Sequence, residues 1–86
     1  MGKKLLRFQW YKILEAEGHP DWSVKIISSG EGLCVHKTKE LWLDTTHADS
    51  LPWFLHELAH IEFSDHTSLW ADHYTALLDK YLKHPL

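Results

Sequence analysis

Five consecutive residues, His56-Glu57-Leu58-Ala59-His60, combine side chains that bind metal with one that can move a proton. On a helix, residues four positions apart lie on the same face about one turn from each other, so both imidazoles can reach a single ion. A glutamate directly after the first histidine can then contact a water on the metal instead of the metal itself. This spacing predicts a zinc site with His56 and His60 as ligands and Glu57 as a general base.

A third protein ligand would complete such a site, and His66 is the leading candidate. On one continuous helix, His66 would lie ~15 Å along the axis and ~80° around from His56, too far to share a metal. We therefore expect the helix to break after His60, and Ser64-Asp65 is a suitable place because both residues favour turns and caps. With that turn, three histidines would hold one Zn²⁺ per chain and leave a fourth position for water.

The end of the chain leaves two alternatives for the third ligand. Asp72 carries a carboxylate, and His73 lies seven positions after His66, on the same face if both are helical. Asp72 and His73 can equally be a solvated pair that orients a ligand imidazole. A group that stabilises the oxyanion is also expected, and His36, His73 and Tyr74 are all candidates for it.

Residues 56–70 resemble the SprT-like and WLM metallopeptidases. Those families carry HExxH, a third histidine shortly afterwards and an aromatic residue four positions beyond it, which correspond here to His66 and Trp70. The resemblance extends more loosely over residues 20–82. It implies a short sheet before the metal-binding helix, zinc as the cofactor, and a protein or peptide as the substrate.

The chain departs from these families in three respects. Phe63 replaces the glycine of the metzincin pattern, Thr67 stands where SprT-like proteins usually carry glycine, and the DNA-binding segments of many such peptidases are absent. Residues 70–78 are also weakly similar to the helix after HExxH in ImmA-like peptidases, where a glutamate completes the site. No glutamate follows Glu62 here, so Asp72 would have to take that role.

Hydrophobic periodicity and turn residues predict the elements that would position these side chains. A first helix over residues 3–17 has Leu6, Trp10, Ile13 and Leu14 on one stripe and ends at Gly18. The remaining elements are strands over 22–28, 32–36 and 40–44, a metal-binding helix capped by Asp49 or Ser50, and a last helix over about 67–83 capped by Asp65 or Thr67.

These elements predict an α+β fold: a single zincin-like domain over residues 1–86 with a small antiparallel three-stranded sheet. One strand is expected to form a sheet edge above the metal, and either the 32–36 or the 41–44 segment suits that position. An extended peptide can add to such an edge through main-chain hydrogen bonds.

The composition of the chain indicates which partners it can bind and in which cellular compartment it is expected. The net charge of −3 disfavours a dedicated nucleic-acid binder, and the small basic cluster Lys3, Lys4 and Arg7 is expected to be a solvated helix face. No apolar run approaches 18 residues, which predicts no membrane span. The single Cys34 cannot form an internal disulfide and is expected to pack within a strand, which suits a reducing compartment such as the cytoplasm.

The leading hypothesis from the sequence is a zinc-dependent endopeptidase with Glu57 as its general base. The alternative is a catalytically weak or inactive zincin-fold protein that serves as an interaction module, since 86 residues offer little material for a walled cleft. A protease acting on proteins held on DNA is a third hypothesis, drawn from the resemblance and weakened by the acidic balance. The sequence does not indicate an oligomeric state.

Overall fold

Three helices and one three-stranded sheet make up the protein in the computed structural model, which describes residues 7–28 and 32–83. In chain order the elements are α1 (Arg7–Ala16), β1 (Ser23–Ile27), β2 (Leu33–Val35), β3 (Glu40–Asp44), α2 (Leu51–Ala59) and α3 (Ser68–Lys83). This order confirms the α+β prediction. Residues 3–6 of the predicted first helix, and with them Lys3 and Lys4, lie outside the described residues.

The sheet is mixed, so the prediction of an antiparallel sheet was wrong. Its strand order is β1-β3-β2, with β1 parallel and β2 antiparallel to the central β3. β2 and β3 form a hairpin, and β1 and β2 lie on opposite sides of β3. Side chains alternate with a period of two in either strand direction, so the sequence pattern could not distinguish the two arrangements.

The position of β3 also decides which strand can be an edge. Because β3 pairs on both sides, the 41–44 segment cannot be the edge strand, and that alternative was wrong. β2 lies at one edge of the sheet. At the other edge, the amide of Val24 in β1 donates a hydrogen bond to the Tyr11 hydroxyl of α1 (3.3 Å), so α1 contacts β1 there.

The first helix packs one face into the core and then ends sharply. Trp10, Ile13 and Leu14 are buried, as the apolar stripe predicts. Gly18 adopts φ 84° just after the helix, and the amide of His19 donates to the Leu14 carbonyl (2.7 Å). A residue without a Cβ is favoured at this left-handed position, and the resulting cap turns the chain towards β1.

The core lies between α2 and the sheet, and it fixes the direction in which α2 presents its histidines. Phe54, Leu55 and Leu58 of α2 are buried in one cluster with Leu41 and Leu43 of β3. With these apolar side chains facing the sheet, the half-buried His56 points towards the surface. The α3 residues Leu77 and Tyr81 complete the cluster.

The chain leaves α2 after Ala59, as the metal-site prediction required. His60 is the C-cap, and the following amides of Ile61 and Glu62 donate to carbonyls three residues earlier in a tightened last turn. α3 then begins after Thr67, whose Oγ1 accepts the amide of Trp70 (3.3 Å). Thr67 rather than Asp65 therefore caps the last helix. At the start of α2, Ser50 takes the N-cap position without a side-chain cap hydrogen bond.

None of the helices in residues 7–28 and 32–83 is both long enough and apolar enough to cross a membrane.

Candidate metal centre

Three imidazoles converge where the turn between α2 and α3 folds back over α2. His66 Nε2 lies 3.1 Å from His60 Nε2 and 3.3 Å from His56 Nε2. Among the described residues, this trio is the group of metal-binding side chains whose ligand atoms all lie within 4.8 Å of one another. The structure therefore brings together the three histidines that the sequence selected.

The spacing of the three imidazole nitrogens suits an ion with tetrahedral coordination. Two nitrogens that each lie ~2.0–2.1 Å from one ion at a tetrahedral angle are about 3.3 Å apart, close to both measured separations. His66 Nε2 carries at most one hydrogen and faces two other ring nitrogens. It therefore cannot donate a full hydrogen bond to both of them, whereas a shared cation would bind all three nitrogens at once.

His60 is held in the tautomer that a ligand needs. Its Nδ1 lies 3.0 Å from the carbonyl oxygen of Phe63 and must donate, because a carbonyl only accepts. Nε2 is then left with its lone pair towards the cluster. This backbone hydrogen bond is the usual way in which a protein orients a ligand imidazole.

His56 is kept neutral by its surroundings. Burial lowers the pKa of His56, and the neighbouring His60 and His66 lower it further. A histidine binds metal only through a deprotonated nitrogen, so this shift favours binding at neutral pH.

The side chain of Trp70 in α3 encloses the cluster from one side. Its ring is stacked on His60 (centroids 5.2 Å apart) and meets His66 and His56 edge-on at 4.6 and 4.8 Å. Trp70 therefore limits the rotation of all three imidazoles. The aromatic residue four positions after the third histidine has a structural role at the site as well as in the packing of α3.

Glu57 lies beside the cluster in a largely buried position. Its Oε2 is 4.0 Å from His56 Nε2, and its side chain is only 8% exposed. Burial raises the pKa of Glu57 to about 7, because removing the carboxylate from water disfavours its charge. A carboxylate with a pKa near neutrality can both accept and release a proton at physiological pH.

The backbone of Gly32 forms the surface against which Glu57 rests. A Cβ built at Gly32 would lie 2.8 Å from Glu57 Oε2 and 3.1 Å from the Trp42 carbonyl oxygen. Any other residue would force the carboxylate or the strand to shift. The sequence places Gly32 at the start of the predicted 32–36 strand, and no local pattern reveals its contact with a side chain 25 positions later.

An open cleft of about 310 Å³ connects these features. Its walls include the three histidines and Glu57 on one side, and Gly32, Leu33 and Cys34 of the β2 edge together with His36 on the other. Burial and the nearby Glu57 raise the pKa of Cys34 to about 12, so its thiol stays protonated. The half-buried Cys34 thus packs within a strand, as expected, while bordering the cleft.

The alternative ligands do not join the cluster. His73 Nε2 lies 3.4 Å from Glu62 Oε2, and its ring contacts Phe63, whereas Asp72 is exposed on α3. Neither belongs to the group of converging ligand atoms among the described residues. His66 is thus the third ligand that the geometry supports.

The three candidates for oxyanion stabilisation occupy different places. His36 lines the cleft, with its Nε2 3.1 Å from the Ile61 carbonyl oxygen. Tyr74 meets His56 edge-on at 5.7 Å and lines a neighbouring recess, and His73 pairs with Glu62. Of the three, His36 is the one that lines the cleft together with Glu57.

No protein-family model, curated protein or solved structure matches this chain in comparisons with known proteins.

Proposed function

We propose that this protein is a zinc-dependent endopeptidase with a minimal zincin-like fold, related to the SprT-like and WLM metallopeptidases. The observation that carries the proposal is the convergence of His56, His60 and His66 beside the buried carboxylate of Glu57. A site with a purely structural metal has no need of a carboxylate with a raised pKa at its border. Three imidazole ligands make zinc the first choice of metal.

The proposed role of each residue in hydrolysis follows from the position of its side chain. Zinc held by the three histidines would supply Lewis-acid chemistry, polarising the peptide carbonyl and making water more acidic. Glu57 accepts the proton of the attacking water on its carboxylate and delivers it to the departing amine. The Phe63 carbonyl and Trp70 hold the imidazoles in place during this exchange. Of the candidates for donation to the oxyanion, His36 is the one that lines the cleft, and its Nε2 would first have to release the Ile61 carbonyl oxygen, which lies 3.1 Å away.

The substrate in this proposal is an extended stretch of polypeptide. β2 is an edge strand, and Gly32, Leu33 and Cys34 at that edge line the cleft opposite Glu57. A peptide can pair with an exposed strand edge through main-chain hydrogen bonds without regard to its side chains. This arrangement would place a peptide bond across the cleft next to the histidines. The proposed compartment is the cytoplasm, because the one cysteine cannot pair within the chain.

The test begins with metal content per chain, measured by elemental mass spectrometry on tag-free protein. We expect near one zinc per chain in the wild type and little or none in His66→Ala. Residues that only orient a ligand already change metal affinity by about 10–100-fold, so loss of a ligand should weaken binding further. His73→Ala is the matched control and should keep its zinc. Zinc retained in His66→Ala would contradict the three-histidine site.

Glu57→Gln then separates an enzyme from an interaction module. The variant should keep its zinc and lose about 10²–10⁴-fold in the rate of hydrolysis of unfolded protein substrates. Cleavage as fast as in the wild type would contradict the role of Glu57. Zinc binding with no hydrolysis by the wild type on any substrate would favour the non-catalytic interaction module.

A further inference from the structure

A second, smaller recess shares one of its walls with the metal centre. It has a volume of about 170 Å³ and is lined by Pro52, Trp53 and His56 of α2 and by Tyr74 of α3. His56 also lines the cleft that holds Glu57, so the two spaces meet at a metal-binding side chain. The recess therefore adjoins the metal centre through the side chain of His56.

The walls of this recess are held in place by contacts with neighbouring rings and with each other. Trp53 is 44% exposed, yet its ring is stacked on His47 with the centroids 4.6 Å apart and the planes 14° from parallel. Tyr74 is stacked on Trp70 at 5.1 Å, and its hydroxyl donates to the Pro52 carbonyl (3.3 Å). A pocket whose walls are already ordered loses little conformational entropy when a ligand enters.

We propose that the recess between Pro52, Trp53 and Tyr74 is the specificity pocket of the metal site, and that it accepts an aromatic or large aliphatic side chain beside the cleaved bond. This inference rests on the proposed function and adds a substrate class to it: polypeptides with a large apolar residue at that position. The substrate backbone would pair with β2 whatever its side chains are, and the pocket would determine which side chain is accepted beside the cleaved bond.

The size and chemistry of the walls determine which side chains fit. An apolar cavity of about 150 Å³ is large enough for benzene, so the recess has room for one aromatic ring or a branched aliphatic chain. None of its lining residues carries a carboxylate, an ammonium or a guanidinium group. A charged substrate side chain would lose water there without gaining an ionic partner, and a methyl group would leave most of the wall uncovered.

Hydroxamates on a common peptide backbone test this pocket without needing turnover. The four probes differ only in the side chain next to the hydroxamate: benzyl, isobutyl, methyl or carboxymethyl. Binding to the zinc-loaded wild type is measured by calorimetry. We expect the benzyl and isobutyl probes to bind about 10–100-fold more tightly than the methyl probe, as burial of one apolar side chain implies, and the carboxymethyl probe to bind most weakly.

Two variants test whether the recess is the part of the protein that distinguishes the four probes. In Trp53→Ala the benzyl-to-methyl affinity ratio should fall to about threefold or less, because one wall of the pocket is gone. Phe8→Ala removes another exposed aromatic ring, from α1, and should leave the ratio unchanged. The ratio is taken within each protein, so a change in zinc affinity cancels.

The outcomes separate the two proposals. If all four probes bind the zinc-loaded protein equally, the pocket is refuted while the open metal site stands. A preference for benzyl that survives in Trp53→Ala also refutes the pocket. If no hydroxamate binds zinc-loaded protein, the metal has no open position, and the proposed peptidase function fails together with the pocket.

Discussion

Two glutamates with similarly low exposure behave in opposite ways. The side chains of Glu17 and Glu57 are 16% and 8% exposed. Burial raises the pKa of Glu17 as well, but hydrogen bonds from Lys80 and Tyr81 outweigh it and hold that pKa below its usual value. Burial of Glu57 meets no such compensation, and its pKa rises to about 7.

The difference shows which parts of the molecule serve the fold. Glu17 ties the end of α1 to α3: Lys80 donates to its Oε2 at 2.6 Å, and the Tyr81 hydroxyl donates to the same oxygen. Glu57 is left beside the histidine cluster with an unfavourable charge. A buried carboxylate without donors is a cost to stability, and such costs are concentrated at functional sites.

The substitution Glu57→Gln in the metal-free protein should have the largest effect on stability, and it tests the contrast between Glu57 and Glu17. The pKa of Glu57 is higher in the folded state than its usual 4.5, so wild-type stability should fall as the pH rises from about 4.5 to about 7. At pH 8 the variant should be about 2–3 kcal/mol more stable than the wild type, and at pH 4 the two should agree. Urea unfolding of chelator-treated protein at both pH values measures this.

Glutamine keeps the shape of the side chain, so the comparison isolates the charge. A variant no more stable than the wild type at pH 8 would mean that Glu57 has donors in solution that offset its burial. The contrast with Glu17 would then disappear.

A smaller effect is expected from Gly32→Ala, because the new Cβ would press on Glu57 and on the Trp42 carbonyl. We expect a loss of about 1–2 kcal/mol in unfolding free energy, typical of mild overpacking. In a Glu57→Ala background the loss should shrink, since one of the two contacts is gone.

Gly18→Ala is the matched control for Gly32→Ala. Its Cβ would meet nothing within 4 Å, and its cost comes from the backbone angle of 84° alone. That cost should be the same with and without Glu57. Equal costs for Gly32→Ala in both backgrounds would show that Glu57 does not rest on Gly32.

The smallest expected effect is that of Glu17→Gln. The pKa of Glu17 is lowered by folding, so the carboxylate stabilises the protein above about pH 4.5, and this contribution is lost as the pH falls through the folded-state value. We expect the variant to be about 1 kcal/mol less stable at pH 7, the typical contribution of one hydrogen bond, with the gap closing in acid. Urea titrations measure it.

Glu15→Gln, on the exposed side of the same helix, is the control and should be neutral. If Glu17→Gln were equally neutral at pH 7, Glu17 would not be a structural link between α1 and α3.

Local patterns in the sequence were sufficient to predict the elements and the three histidines that converge. The spacing of His56 and His60 depends only on helix geometry, and the requirement that the chain turn before His66 follows from the same geometry. The apolar alternation also located β3, predicted over 40–44 and observed over Glu40–Asp44. The other strands and the last helix lie within one residue of their predicted limits.

Features that depend on contacts between distant segments could not be predicted. The direction of β1 relative to β3 leaves no trace in either strand's own alternation. The contact of Gly32 with Glu57 and the stacking of His47 on Trp53 each join an irregular segment to α2. Such contacts are fixed by the core that places α2 on β3, and the local pattern of one segment does not reveal that packing.

The ten positions between His56 and His66 limit what a bound ion can do for the fold. A cross-link stabilises a chain by removing freedom from its unfolded ensemble, and the effect grows with the logarithm of the loop that it closes. The hydrogen bond from Tyr81 to Glu17 joins residues 64 positions apart, so in the folded state it ties α3 to the end of α1. A metal at the histidine cluster would restrict only the corner between α2 and α3. Loss of the ion should therefore loosen that corner first, while the hydrophobic core and the α1–α3 link continue to hold the domain together.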